Sequence, residues 1–449
     1  MRMTHRSIAY HTLLLSLLHL LVDGLCACGL MLMSHRIVSD MEAYSMIVLY
    51  DVLAFGTQPL TGRGVDGSDT SPRGLKMAVM LLAGGALVSW LPISPTVLAA
   101  IAGAVLLGMG NSLFHVYGGR YVAVASHNDI RAMGVFVSTG AVGLAIGLGF
   151  SSSLLMAVFF LTLMALTVLH LLNADIHKAT DGKGLPIPVH PEAGAAPARY
   201  LTAVPLLYLS CLMLVVAGRA CIGESVPSLR ASFPLIGAPL TMVVVSVIVM
   251  VGKAAGGFLS KRWGVRKVFT ASMLLSAVTF LMCPWHDGFV LATLLLINIS
   301  MPCTLYLATK ASPGREGWVF GLLAMALLPG YLLGYLSKGN AICQALLTPL
   351  MATILLESLL LLWMRERRWQ VLAASVVLNI LTNIPLNALI IAYGVTSPLT
   401  VLGLECLVVA VEFLGFWLVL REPGRAFKYS FLCNAFSALV GCLCQLLFT

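Results

Sequence analysis

The chain has 449 residues, 59% of them hydrophobic and only 10% charged, where a soluble domain carries about 25% charged residues. With a mean hydropathy of +0.96, this composition excludes a water-soluble globular protein and places the chain in a bilayer. The net charge of +9 does not point to nucleic acid, because the basic residues are spread over the short loops between apolar runs, which is membrane topology.

A helix needs roughly 20 apolar residues to cross about 30 Å of hydrocarbon. Such runs recur along the whole chain, at about fifteen candidate spans centred near residues 20, 52, 84, 106, 141, 162, 212, 247, 277, 298, 327, 352, 381, 408 and 438. The first run has a short basic start and no small-residue cleavage site, so it reads as a span and not a signal peptide. If the N-terminus is cytoplasmic and the spans alternate, nearly all of the 27 Lys and Arg fall in inside loops. Arg36, Arg230 and Lys338 fall outside, and Arg219 and Lys253 lie within spans. That asymmetry is the positive-inside rule.

The first span, "LLLSLLHLLVDGLCACGL" from residue 13, carries His19 and Asp23 one turn apart on one face, with His11 eight positions earlier. An ionisable side chain inside a span is costly and is a functional candidate by default; the alternative is a satisfied interhelical hydrogen bond. A His–Asp pair that changes protonation near neutral pH suits proton coupling, so His19 and Asp23 are proton-coupling candidates. Asp51, midway along the second span, is a third. In the fourth span Asn111 and His115 sit at i and i+4, next to Gly108 and Gly110, and are substrate-binding candidates. Arg120 lies toward the cytoplasmic mouth.

The longest polar interval, residues 173–202, reads as a cytoplasmic linker. Six spans precede it, in residues 1–172. Nine follow, and the cluster "RERRW" divides them into six in 203–368 and three in 369–449. A weak repeat supports two matching halves: "RAMGVF" and "REGWVF" open the fifth span of each, pairing Arg131 with Arg315, Val135 with Val319 and Phe136 with Phe320 at one constant offset. In the second half Arg219, Glu224 and Asn298 are substrate-binding candidates. In the last 80 or so residues Asn379, Asn383 and Asn387 share a helix face, as do Glu405 and Glu412. This spacing predicts three helices that pack together with glutamates facing asparagines, in a structural role.

The eleven cysteines have no zinc spacing and no disulfide framework, so no metal site is expected. No phosphate-binding loop, H-E-x-x-H or G-x-S-x-G is present. The chain is therefore expected not to be an enzyme and to need no cofactor, and active transport would draw on an ion gradient.

Two six-span halves around a cytoplasmic linker resemble the major facilitator superfamily. That superfamily has a G-x-L-x-D-R-x-G-R-R/K loop between spans 2 and 3, repeated between 8 and 9. "GGFLSKRWGVRK", residues 256–267, resembles the second copy, with Lys261 in the aspartate's place; "QPLTGRGVD" supplies Gly62 and Asp66 of the first. The resemblance implies a gating role for Asp66, Lys261, Arg262 and Arg266. Within the superfamily, "HLLVDG", "QP" and "GMGNSLFHVYGGRYVAVAS" look like the fosmidomycin-resistance group of efflux proteins, although Val116 and Tyr117 replace the usual Pro and Glu. The resemblance implies an all-α polytopic protein of two six-helix bundles, with three extra C-terminal helices. It also implies a monomer in the bacterial inner membrane that exports a small organic solute or drug by antiport with protons. Uptake, facilitated diffusion, and a receptor or scaffold that has lost turnover remain open, because nothing in the sequence fixes direction.

Overall fold

The computed structural model describes residues 5–37, 39–67, 73–91, 96–181, 203–229, 233, 237–336, 341–366, 368, 371–372, 374–376, 378–379, 382–383, 386–387, 390 and 397–448. Every regular element among them is helical. The linker expected over 173–202 lies outside the described residues from 182 onward, apart from its start, which continues the preceding helix to Asp181.

The elements are α1 (His5–Ser34), α2 (Asp40–Asp51), α3 (Gln58–Gly67), α4 (Arg73–Trp90), α5 (Thr96–Ala125), α6 (Ile130–Phe136), α7 (Gly140–Gly149) and α8 (Ser153–Asp181). They continue as α9 (Ala203–Ser225), α10 (Ala238–Trp263), α11 (Val265–Met282), α12 (Asp287–Ala311), α13 (Glu316–Met325), α14 (Leu327–Leu336) and α15 (Ala341–Trp363). Every described position from 371 to 390 is helical, and α16 (Pro398–Leu420) and α17 (Pro423–Phe448) close the chain. Among the described residues nine helices are long and apolar enough to cross a bilayer: α1, α5, α6 with α7, α8, α9, α10, α11, α12 and α16.

Three expected spans are interrupted, each for a local reason. Between α2 and α3 the chain makes one π-helical turn, Val52–Gly56. Pro59 follows it and has no N–H to continue the ladder, so the turn widens. Between α6 and α7, Val137 to Thr139 leave the helix, freeing carbonyls at the end of α6. The fifth span of the second half breaks similarly at Ala326, between α13 and α14.

The described residues form two compact units, Met1–Ala217 with Pro234–Ser272 and Leu294–Tyr331, and Gly218–Phe233 with Met273–Thr293 and Leu332–Thr449. In the first unit α1 is the enclosed element, with Leu15, Leu18, Val22 and Leu25 fully buried. The glycines of α7 set its depth. A Cβ at Gly143 would strike the carbonyl of Leu20, and one at Gly147 the carbonyl of Gly24. Small residues let two backbones touch, which is how helices gain packing energy in lipid.

In the second unit Leu361, Val371, Leu372, Leu378, Phe416, Leu420, Ala426, Tyr429 and Cys433 form an apolar cluster. Beside it Glu357 accepts from Asn379 Nδ2 at 2.6 Å and from Ser375 Oγ at 3.3 Å. Glu412 accepts from Asn434 Nδ2 at 2.5 Å and from Thr382 Oγ1 at 3.0 Å. Glu412 thus faces Asn434, as the register predicts, whereas Asn379 meets Glu357 of α15, and Asn383 and Asn387 donate to Asn379 Oδ1 and to the Asn383 carbonyl.

Candidate functional site

The centre of interest is built by α1, α5 and the break between α6 and α7. α1 presents His19 and Asp23 on one face, and α5 presents Asn111 and His115 on another. The structure brings the four together. His19 Nε2 lies 3.3 Å from Asp23 Oδ2, and His115 Nε2 lies 3.4 Å from Asp23 Oδ1. The two Nε2 atoms are 2.8 Å apart. Asn111 Nδ2 donates to Asp23 Oδ1 at 3.0 Å. Both imidazoles are buried, while Asp23 keeps 18% of its side chain accessible.

The outer nitrogens of the rings fix their tautomers. His19 Nδ1 is 2.8 Å from the carbonyl of Phe136, and His115 Nδ1 is 2.9 Å from the carbonyl of Asn111. A carbonyl only accepts, so each Nδ1 carries a hydrogen and each neutral ring turns a lone pair inward at Nε2. Two lone pairs and a carboxylate then face one another, with Asn111 as the amide donor. Such a set is electrostatically incomplete without a cation. A proton shared by the two rings satisfies it, since the imidazolium donates to its neighbour and balances Asp23.

Local structure explains why the sequence can build this. The Phe136 carbonyl that holds His19 belongs to the last turn of α6, where the helix break leaves carbonyls without intrahelical donors. The Phe136 ring stacks on His19 at 5.1 Å. At the first residue of α7, a Cβ on Gly140 would collide with both Asp23 Oδ2 and His19 Nε2, so only glycine leaves the site its room. These two residues escaped the sequence reading as site components. The one signal was the Gly-x2-Gly-x3-Gly spacing after "RAMGVF", which reads first as packing.

A second polar contact lies at the end of α3. Asp66 accepts from the backbone N–H groups of Gly317 and Trp318 at 2.9 and 2.7 Å and from Arg120 Nε at 3.0 Å. A carboxylate at the N-terminus of α13 meets unpaired N–H groups and the positive end of the helix dipole. Gly62 and Gly317 bring the two backbones into contact. The related loop between α10 and α11 differs. Lys261, Arg262 and Arg266 are exposed, with Arg262 5.8 Å from the Trp263 ring centre. The helix facing that loop, α6, carries its own cap: Asp129 accepts from Arg131 N at 3.0 Å and pairs with the Arg131 guanidinium at 2.7 Å. Burial pushes the Asp129 carboxyl up, but Arg131 and the charge of Lys261 outweigh this and hold it below its ordinary value. The N-terminus of α6 already has a carboxylate, so a lysine at 261 complements it where an aspartate would repel.

The other expected site residues lie elsewhere. Asp51 ends α2, half-buried, and is not among the three ligating side chains that converge. Asn298 is buried and donates to the Leu294 carbonyl one turn back at 2.8 Å. Arg219 and Glu224, on α9, belong to the second unit, the first buried and the second half-buried. His11 does not extend the stripe of His19 and Asp23; it packs edge-on against His170 and Tyr121, with ring centres 5.4 and 5.9 Å away.

No protein-family model matches the chain, and no curated protein matches it. Solved structures do. A major facilitator superfamily transporter, FucP, in the outward conformation aligns with a TM-score of 0.54 at 15% identity, over 74% of this chain and 92% of that one. A variant of the E. coli fucose:proton symporter aligns at 0.50 and 14%, over 74% and 92%. A bacterial homologue of the iron transporter ferroportin, outward-facing with soaked iron, aligns at 0.50 and 13%, over 86% and 99%. The chain therefore has a fold like that of major facilitator superfamily transporters, and it is a multi-pass membrane protein whose regular elements, among the described residues, are all helices.

Proposed function

We propose that the protein is a secondary active transporter that moves a small organic solute or drug across the cytoplasmic membrane by alternating access, as a proton-coupled exporter. The observation that carries this reading is the set of inward-turned lone pairs around Asp23, held partly by the free carbonyl of a broken helix. Interrupted helices at matching places in two halves mark the substrate and ion region of such proteins. In this reading His19 and Asp23, with Asp51, handle the proton, while Asn111, His115, Arg219, Glu224 and Asn298 contact the solute. Asp66 with the α13 N-terminus, and Lys261, Arg262 and Arg266 at the related loop, hold one closed state. The chain then consists of two six-helix bundles, 1–172 and 203–368, the linker 173–202 and a three-helix appendage, 369–449, in about fifteen spans. It works as a monomer with a cytoplasmic N-terminus. A proton falling through about 100 mV releases about 2.3 kcal/mol, enough for a roughly 50-fold gradient of a neutral solute at one-to-one exchange.

The test is a thermal-shift screen of the purified protein against small organic anions and drugs, since a ligand of the native state raises apparent stability. The hits then go into proteoliposomes containing a pH-sensitive dye. The expected result is solute-dependent proton movement that is lost in His19→Gln and Asp23→Asn. Solute entering with protons instead of leaving against them would mark uptake. Coupled flux unchanged by both substitutions would overturn the proton assignment, and hits that bind without counterflow would mark a receptor.

A further inference from the structure

We propose that His19, Asp23 and His115 form a binding site for one divalent first-row transition-metal ion of the zinc, cobalt or iron(II) kind. The site ties α1 to α5, and the proposal does not depend on the transporter reading. Imidazole nitrogens are borderline ligands that suit these ions, and the carboxylate is a hard one they also accept, whereas calcium and magnesium want shells of oxygen.

The geometry fits an ion rather than a chance meeting of polar groups. Zn–N and Zn–O bonds run to about 2.0–2.2 Å. Atoms that share such an ion at roughly 85–110° lie about 2.8–3.5 Å apart. The observed distances are 2.8 Å between the nitrogens, 3.3 Å from His19 Nε2 to Asp23 Oδ2 and 3.4 Å from His115 Nε2 to Asp23 Oδ1, so each ring faces its own carboxylate oxygen and both oxygens border the place of the ion. Two imidazoles and one carboxylate are the donor set of the two-histidine, one-carboxylate facial arrangement, and Asp23 keeps 18% of its side chain accessible.

The surroundings are those of a metal site. Metal-bound histidines almost always donate their second ring N–H to a carbonyl or carboxylate, which fixes the tautomer and the ring plane. Both rings do so here, to Phe136 and to Asn111. Asn111 also clamps the carboxylate through Nδ2. Its own Oδ1 is buried and makes no hydrogen bond. Once an ion neutralises Asp23, turning that amide over exchanges its N–H for an oxygen ligand.

The experiment uses the full chain without a histidine tag, in detergent, stripped with chelator. Co²⁺ is added first and Zn²⁺ is then used as competitor. One Co²⁺ per chain, a visible d–d absorption displaced by Zn²⁺, and a rise in melting temperature are expected. Asp23→Asn and His115→Gln should each weaken binding by more than about 100-fold, and Asn111→Ala by about 10–100-fold, the range typical of supporting-shell changes. Glu412→Gln should leave binding unchanged. X-ray absorption on the wild-type protein needs no variant, and should show two imidazoles in the first coordination sphere of the bound ion. No stoichiometric binding, or a bound ion with only oxygen neighbours, would overturn the proposal and leave a shared proton as the occupant. Metal binding without solute flux would keep this site and remove the transporter reading; proton-driven flux without metal binding would do the reverse.

Discussion

In the first unit Asp23 meets the amide of Asn111 and two imidazole nitrogens turned toward it with lone pairs. In the second unit Glu357 and Glu412 meet Ser375, Asn379, Thr382 and Asn434, all of which can donate. Of those four glutamate oxygens, only Glu357 Oε1 lacks a hydrogen-bond partner among the described residues. Both clusters bury carboxylates among apolar helices, and burial alone does not separate them. What separates them is the balance of donors and acceptors. An excess of acceptors is balanced by a cation, whereas a set with donors to three of its four oxygens fastens helices together.

That contrast is open to test, and the largest effect is expected on transport. Asp23→Asn should reduce proton-coupled flux in proteoliposomes by at least about 100-fold, the order that a positioned proton-transfer group contributes. Glu412→Gln keeps an oxygen to accept from Asn434 Nδ2, and its amide can donate to Thr382 Oγ1 instead of accepting from it, so flux should stay within about twofold. Equal losses in the two variants would erase the distinction.

A smaller effect is expected on stability, in the opposite unit. Asn379→Leu removes the amide donor to Glu357 and should lower unfolding stability in detergent by about 1–3 kcal/mol, the cost of stranding a buried acceptor. Replacing Glu357 by Leu in the same chain should recover most of that loss, because removing both partners is close to neutral. A double variant no more stable than the single one would mean that the glutamate does more than fasten helices.

The smallest effect sharpens the comparison with a carboxylate outside the spans. Glu366, after α15, accepts from Arg368 Nη2 at 2.9 Å and from the Tyr429 hydroxyl at 2.8 Å, and Arg425 lies 3.6 Å away. The Arg368 hydrogen bonds, chiefly, hold its carboxyl at about 2, against an ordinary value of 4.5. A lowered native value stabilises the fold fully above about pH 4.5, and that stabilisation is lost as pH falls toward 2. With both arginines half-exposed, the expected size is about 1 kcal/mol. It is read as the difference between wild type and Glu366→Gln in melting temperature across that range, shrinking with added salt.

Two of the helical pairs at the site were legible as spacing. His19 with Asp23 and Asn111 with His115 stand at i and i+4, and helical period alone puts each pair on one face. Their meeting was not legible, because a contact between residues 19 and 115 is set by how α1 packs on α5. His11 shows the limit of the same rule: it shares the stripe by period, yet tertiary packing gives it to His170 and Tyr121. The basic residue at 261 looked like a degraded motif. Its physical reason lies in another segment, where Asp129 caps the helix opposite.

Hydropathy and period are enough to say that this chain lives in lipid, that its apolar runs favour helix, and which polar side chains those helices carry. These follow from hydropathy, from the need to satisfy every backbone group within a helix, and from a period of 3.6 residues, all of which act over a single turn or span. That two histidines turn their lone pairs onto one carboxylate, and that a helix break supplies the carbonyl orienting one of them, is a property of the packed chain alone. Those facts depend on distances between segments far apart in the chain, and backbone contact across the glycines of α7 sets such distances.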